Sequence, residues 1–127
     1  MKKIIVLLIV IGLSKLSISQ VTVQQKIDSV SLLVKKYLDE KNSGQLYALT
    51  GESFRNQLSQ EKFETVSKQQ LFPLGNVKSL KFENHTNGVS KYKTEFETII
   101  LGLYLSLDKN DKLETFLIKP YVDESVK

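Results

Sequence analysis

The stretch Lys91-Tyr92-Lys93-Thr94-Glu95-Phe96-Glu97 decides the fold, because its charged and less polar side chains alternate strictly. A period of two is that of a β-strand with one face buried and the other in water. The sequence on both sides keeps this period, which indicates that strands make up the second half of the chain. The apolar positions that alternate there are Leu80, Phe82, Leu101, Leu103, Leu105 and Leu107.

Turn residues divide this half into short strands. Residues 84–88 read Asn-His-Thr-Asn-Gly, and residues 108–111 read Asp-Lys-Asn-Asp. Asn, Asp and Gly favour turns because they hydrogen-bond nearby backbone or accept left-handed angles. The last strand begins at Leu113 and ends near Pro120, which has no backbone N–H to donate. The pattern therefore predicts antiparallel strands joined by tight turns.

The chain before residue 76 has helical spacing instead. A first helix runs from about Lys26 to residues 42–44, where Gly44 offers a left-handed cap. Shorter helical stretches are expected at 45–49 and from 52 toward 58. Ser59 is a good N-cap for a third helix, which Phe-Pro-Leu-Gly at 72–75 breaks. The apolar residues of the first helix, three and four positions apart, are Ile27, Val30, Val34, Tyr37 and Leu38.

Helices followed by antiparallel strands predict an α+β domain. We expect the N-terminal helices to pack on a curved antiparallel sheet of about four strands, a cystatin-like arrangement that encloses a cone. This single domain is expected to span residues 20–121. Residues 122–127 would form a charged tail.

The N-terminus has the features of a secretory signal peptide at residues 1–19. Two lysines precede an apolar run, and small Ser17 and Ser19 precede the expected cleavage site before Gln20. The run from Ile4 to Leu13 is too short for a membrane span, which needs ~20 residues. The sequence therefore predicts export to the periplasm or the medium, without a permanent membrane anchor.

The charge and cysteine content exclude several classes of function. Lys2, Lys3 and Lys15 belong to the signal segment, so 15 of the 18 basic residues remain against 14 acidic ones. This near-neutral balance gives no electrostatic basis for binding nucleic acid. The chain has no cysteine, which excludes disulfides, thiolate metal sites and a lipid-anchor cysteine. We expect no cofactor and no metal site.

Several short motifs of packing residues resemble the nuclear-transport-factor-2-like superfamily of cone-shaped domains. The resemblance covers roughly residues 26–121 and is to an exported bacterial branch that often precedes a serine β-lactamase-like hydrolase domain. It implies the cone-shaped fold and an association with such a hydrolase, but it assigns no activity. The motifs are residues 36–41 (KYLDEK), 46–49 (LYAL), 52–55 (ESFR), 59–63 (SQEKF) and the Leu74-Gly75 pair.

No catalytic residue is assigned. Ser90 to Lys93 and Ser106 to Lys109 match the Ser-x-x-Lys spacing of serine β-lactamases, but on strands and turns residues three apart face opposite ways. His85 is the single histidine. It could form a general-base dyad with Glu83 or Glu95, although a solvated turn histidine is the simpler interpretation.

The expected function is that of an exported, non-catalytic binding or accessory module. It would present its sheet face near Tyr104 and Tyr92 to a protein partner, such as a hydrolase or a second copy of itself. The alternative is a small-molecule-binding or enzymatic cone with an aromatic-lined pocket for a small hydrophobic ligand. A third interpretation is the N-terminal part of a split serine hydrolase. The residues expected to line the interior, as plain core or as a pocket, are Tyr37, Tyr47, Phe82, Tyr92, Phe96, Tyr104 and Phe116.

Overall fold

A computed structural model describes residues 22–123 and shows an α+β fold. The predicted signal peptide and residues 124–127 of the predicted tail lie outside the described residues. The helices are α1 (Val23–Asp39), α2 (Ser43–Ala48), α3 (Glu52–Gln57) and α4 (Gln60–Val66). A π-helical turn (Ser67–Leu71) and a 3₁₀ turn (Phe72–Leu74) continue from α4. The strands are β1 (Val77–Thr86), β2 (Val89–Phe96), β3 (Ile100–Leu107) and β4 (Leu113–Pro120).

Helix α1 begins earlier and ends earlier than the spacing predicts. Thr22 and Gln25 form a reciprocal capping box, so the helix starts at Val23 rather than Lys26. It ends at Asp39, and Lys41 takes the left-handed conformation (φ 57°) that was expected of Gly44. The predicted spacing of three and four is confirmed, because Ile27, Val34 and Leu38 are buried; Ser31, which the spacing does not single out, is buried with them.

The short helices are defined by their caps. Asn42 accepts a hydrogen bond from the backbone of Gln45 and starts α2, while Ser59 caps α4 as expected. The predicted break at 72–75 is confirmed, because π-helical and 3₁₀ turns carry the helical path to Leu74, where it ends. Gly75, with φ 88°, then turns the chain into β1.

The four strands form one antiparallel sheet in the order β1-β2-β3-β4. The β1–β2 hairpin turns at Asn87 and Gly88, both with positive φ, which is the geometry that an Asn-Gly pair favours. The predicted alternation is confirmed, because Tyr92, Thr94 and Phe96 are buried on one face of β2. Lys91 and Lys93 point to the other face.

One hydrophobic core joins the helices to the inner face of the sheet. Ile27, Val34 and Leu38 of α1 are almost fully buried in this core, together with side chains of α2, α4 and all four strands. Leu103 and Leu105 of β3 are at most 1% exposed, which places β3 at the centre of the packing. Strand β4 lies at one edge of the sheet, and the candidate site is located there.

Candidate functional site

The seven aromatic residues predicted to line the interior do not surround a common space. Tyr92 and Phe96 lie on the helix-covered face of the sheet, each 2% exposed. Phe82 contacts Tyr92, with ring centroids 5.8 Å apart, but is itself 42% exposed. Tyr104 lies on the opposite face of the sheet. The remaining three pack in or against the helical side of the core: Tyr37, Tyr47 and Phe116.

Four aromatic rings pack together where α2, α3 and α4 meet β4. Phe54 of α3 stacks on Phe116 of β4 with centroids 6.2 Å apart, and Phe63 of α4 lies 6.0 Å from Phe116. Tyr47 lies 5.5 Å from Phe63 and donates its hydroxyl to the carbonyl of Leu58. In the sequence, Phe54 and Phe63 belong to short motifs of packing residues in predicted helical stretches, and no pattern assigns them to a site. They come together because their helices pack at the same sheet edge.

Three of these rings, those of Phe54, Phe63 and Phe116, form the aromatic floor of an apolar groove of about 340 Å³. The groove runs between α3, α4 and the π-helical turn on one side and β4 on the other. Two side-chain amides, those of Gln57 and Gln70, are its polar side chains. Its apolar lining consists of Phe54, Leu58, Phe63, Val66, Leu71, Phe116, Leu117 and Ile118. We call this feature the β4 groove.

The π-helical turn Ser67–Leu71 helps to shape the β4 groove. A π-helical turn is wider than an α-helical one, is rare, and frequently occurs at functional sites. Here it places Gln70 and Leu71 on the groove wall, and the backbone N–H of Phe72 closes the turn on the carbonyl of Ser67. The Ser67 hydroxyl is fully buried and has no hydrogen-bond partner among the described residues.

The groove runs beside an exposed strand edge. Strand β4 pairs with β3 on one side and is the last strand of the sheet. On its other side, Leu113 hydrogen-bonds the α2–α3 connection through the backbones of Leu49 and Gly51. Beyond Leu113, residues 114–120 pair with no second strand among residues 22–123.

An acidic hollow lies beside the β4 groove and shares Gln57 with it as a lining residue. The hollow is lined by three carboxylates, those of Glu52, Asp108 and Glu114, and by one lysine, Lys109. Asp108 accepts hydrogen bonds from two backbone N–H groups of the β3–β4 turn. None of the four forms an ion pair with another residue in the described part of the chain. We call this feature the acidic hollow.

His85 is hydrogen-bonded to a serine, not to a carboxylate. Its Nδ1 lies 2.8 Å from Oγ of Ser90, the residue opposite it on β2. The dyad considered with Glu83 or Glu95 is absent from the structure. Glu83 contacts Lys91 and the Tyr121 hydroxyl, while Glu95 accepts from Ser79 and pairs with Lys78.

The Ser90–His85 pair is not arranged as a nucleophile and its base. Ser90 is fully buried and donates its hydroxyl to Oε1 of Gln24, at 2.6 Å. Nδ1 of His85 must then carry the hydrogen that it shares with Ser90, so it cannot accept the serine proton. The pair instead ties the end of the β1–β2 hairpin to α1.

The same network continues to Tyr92. Its hydroxyl donates to Asp28 at 2.6 Å and accepts from Nε2 of Gln24 at 3.2 Å. Burial and the neighbouring Asp28 carboxylate raise the pKa of Tyr92 well above its ordinary value. The tyrosine therefore stays protonated and holds α1 against β2, as a structural donor.

The outer face of the sheet is partly covered by the chain itself. Nζ of Lys91 donates to the carbonyl of Val122 at 2.6 Å, and the Tyr121 hydroxyl donates to Glu83 at 2.5 Å. Lys91 and Lys93 both lie over the Tyr121 ring, and Lys91 is only 3% exposed. The first residue of the predicted tail, Val122, is thus held to the sheet through its backbone carbonyl.

The prediction that Tyr92 belongs to an exposed contact patch of the sheet is wrong. Tyr92 faces the helices, whereas Tyr104 faces outward on the other side, partly buried beneath Lys119. Lys119 lies 4.5 Å from the centroid of the Tyr104 ring. The two tyrosines cannot form one surface, because neighbouring register positions put them on opposite faces.

The two Ser-x-x-Lys matches are not catalytic pairs. Ser90 faces the helices and Lys93 the outer side, as expected for residues three apart on a strand. Ser106 accepts a hydrogen bond from the backbone of Thr115, and Lys109 lies in the following turn. Within residues 22–123, no group of three or more potential ligands could hold a metal ion.

Helices in the described range 22–123 lack the length and apolar character that crossing a membrane requires. No family model, curated protein or solved structure matches this chain. The features of the structure that bear on function are the β4 groove, the strand edge beside it and the acidic hollow.

Proposed function

We propose that this protein is an exported, non-catalytic binding module that takes an apolar group of its ligand into the β4 groove. The observation that carries the proposal is a groove of about 340 Å³ with an apolar and aromatic lining and two amides. Ligand sites in proteins have this range of volume and this mixture of apolar surface and few polar groups. The polar networks elsewhere tie structural elements together, which supports a binding role over catalysis.

The binding surface would then lie at the edge of the sheet instead of on its outer face. The segment of Tyr121 and Val122 already occupies part of the outer face. The small-molecule alternative uses the same groove, with Phe116 as the one predicted lining residue that belongs to it. A cone-shaped fold of the nuclear-transport-factor-2-like type and an association with a hydrolase remain parts of the proposal. The order of helices before four antiparallel strands supports the fold.

Export is tested by expressing the full chain in a bacterium and weighing the recovered protein by mass spectrometry. We expect the periplasmic or secreted product to begin at Gln20, because the small Ser17 and Ser19 precede that bond. A Leu8→Arg variant, which puts a charge into the apolar run, should accumulate uncut in the cytoplasm. Equal processing of both proteins would contradict export by this segment.

Binding is tested with the hydrophobic dye 8-anilinonaphthalene-1-sulfonate and amide chemical shifts of the recovered protein. We expect shift changes to cluster at the β4 groove and to be lost in Val66→Lys, because this partly exposed groove residue would place a charge over the apolar floor. Leu32→Lys is the matched control, since Leu32 is an exposed leucine of α1 outside the groove. Shifts spread over the surface, or equally weakened by both variants, would overturn the proposal.

A further inference from the structure

The edge of β4 restricts the kind of ligand that the groove would take. An edge strand presents backbone N–H and C=O groups that are ready to pair with another extended chain. Residues 116–118, which lie on the groove, belong to the part of β4 without a second strand partner in the described range. A small apolar ligand would fill the groove but leave these backbone groups unused. An extended peptide would fill the groove with a side chain and also pair with these backbone groups.

The groove also suits one side chain of such a peptide. Successive residues of a strand point to opposite faces and rise ~3.3 Å each. A chain added beside β4 would direct alternate side chains toward the helices, where Phe54, Val66 and Leu71 line the groove. A branched or aromatic side chain at that position would bury its apolar surface against the aromatic floor.

The charged side chains of the acidic hollow indicate which kind of residue would neighbour the apolar one in the peptide. The acidic hollow begins at Glu114, two to four residues along β4 from the groove positions 116–118. Its lining has three carboxylates and one lysine, and none of these groups is neutralised by an ion pair in residues 22–123. A basic side chain about two residues from the apolar one would reach them, since that spacing is ~7 Å in a strand.

We propose that the β4 groove binds an extended peptide segment of a partner protein as a fifth strand of the sheet. The peptide places an apolar side chain in the groove and a lysine or arginine in the acidic hollow. This inference rests on the proposed function and adds the ligand class to it. The main-chain pairing supplies affinity, while the groove and the carboxylates select the sequence.

The test uses a blocked octapeptide that alternates valine with threonine, with a central isoleucine and an arginine two positions away. The protein is the product recovered from expression of the full chain. We expect the peptide to bind and to shift the amide signals of β4. Methylating the peptide nitrogens that would face β4 should abolish binding, because it removes the donors without changing any side chain. A methylated peptide that binds equally well would overturn strand addition.

The acidic hollow is tested by exchanging charges. Replacing the peptide arginine with glutamate should weaken binding about tenfold or more, a change of ~1.4 kcal/mol. The exposed Glu114→Lys variant should weaken binding of the arginine peptide and strengthen that of the glutamate peptide. Leu32→Lys, which adds charge away from the edge, should leave the preference unchanged. An unchanged preference in Glu114→Lys would overturn the assignment of the hollow.

Failure of this inference is distinguishable from failure of the proposed function. If the dye occupies the groove but no peptide binds, strand addition is wrong and the groove remains a small-molecule site. If neither the dye nor the peptide binds, the proposed function and strand addition are both wrong. A concentration-dependent dimer that buries the β4 edge would make a second copy the occupant, which also overturns the proposal.

Discussion

Leu105→Ala should lower the free energy of unfolding by about 2–5 kcal/mol. Leu105 is fully buried at the centre of the sheet, with Ser90 of β2 and Phe116 of β4 as its register neighbours. Truncation removes apolar surface from the core and leaves a cavity that the two flanking strands cannot easily close. The expected loss is a large fraction of the total stability of a domain of this size, which is about 5–15 kcal/mol. Chemical denaturation with two spectroscopic probes measures the change.

Two control variants test whether the effect of Leu105→Ala comes from the packing of this position. Leu105→Met keeps the volume and should cost less than about 1.5 kcal/mol. Leu32→Ala removes the same atoms from a leucine that is 64% exposed, and should change stability by no more than about 0.5 kcal/mol. Equal losses at positions 105 and 32 would contradict the central place of β3 in the core.

Gly51→Ala should destabilise the protein by about 1–3 kcal/mol, the usual cost of adding a methyl group where no space exists. A Cβ at Gly51 would collide with Oδ2 of Asp108 and lie 3.0 Å from Cβ of Lys112. Asp108 cannot move away freely, because its other oxygen accepts two backbone hydrogen bonds of the β3–β4 turn. Gly51 itself donates to the carbonyl of Leu113 at 2.8 Å.

Gly44→Ala is the matched control for Gly51→Ala, and we expect the opposite sign. A Cβ at Gly44 would have Oδ1 of Asn42 as its nearest neighbour, at an ordinary 3.7 Å. Gly44 lies in α2, where alanine reduces the entropy of the unfolded chain and should stabilise by about 0.4–1 kcal/mol. Thermal and denaturant unfolding of both variants measure the two changes in stability. Similar destabilisation by both would contradict the close contact between the α2–α3 connection and the β3–β4 turn.

Local sequence determined the elements and their order. The period of two identified the inner face of β2, and the three-and-four spacing identified the inner face of α1, because backbone geometry alone relates neighbouring side chains in these elements. Ser59 as a cap and Asn87-Gly88 within a turn were likewise readable, since their conformational preferences involve only adjacent backbone. The start of α1 was missed because the Thr22–Gln25 capping box lies before the apolar spacing begins.

Tertiary structure alone decided the candidate site. Phe54, Phe63 and Phe116 come from three elements, and only the packing of α3 and α4 beside β4 brings their rings together. The register of β1 on β2 paired His85 with Ser90 instead of a carboxylate, and the path of residues 121–122 buried Lys91. Periodicity specifies which side of an element faces the core. It does not specify which elements become neighbours, because that depends on contacts between residues far apart in the chain.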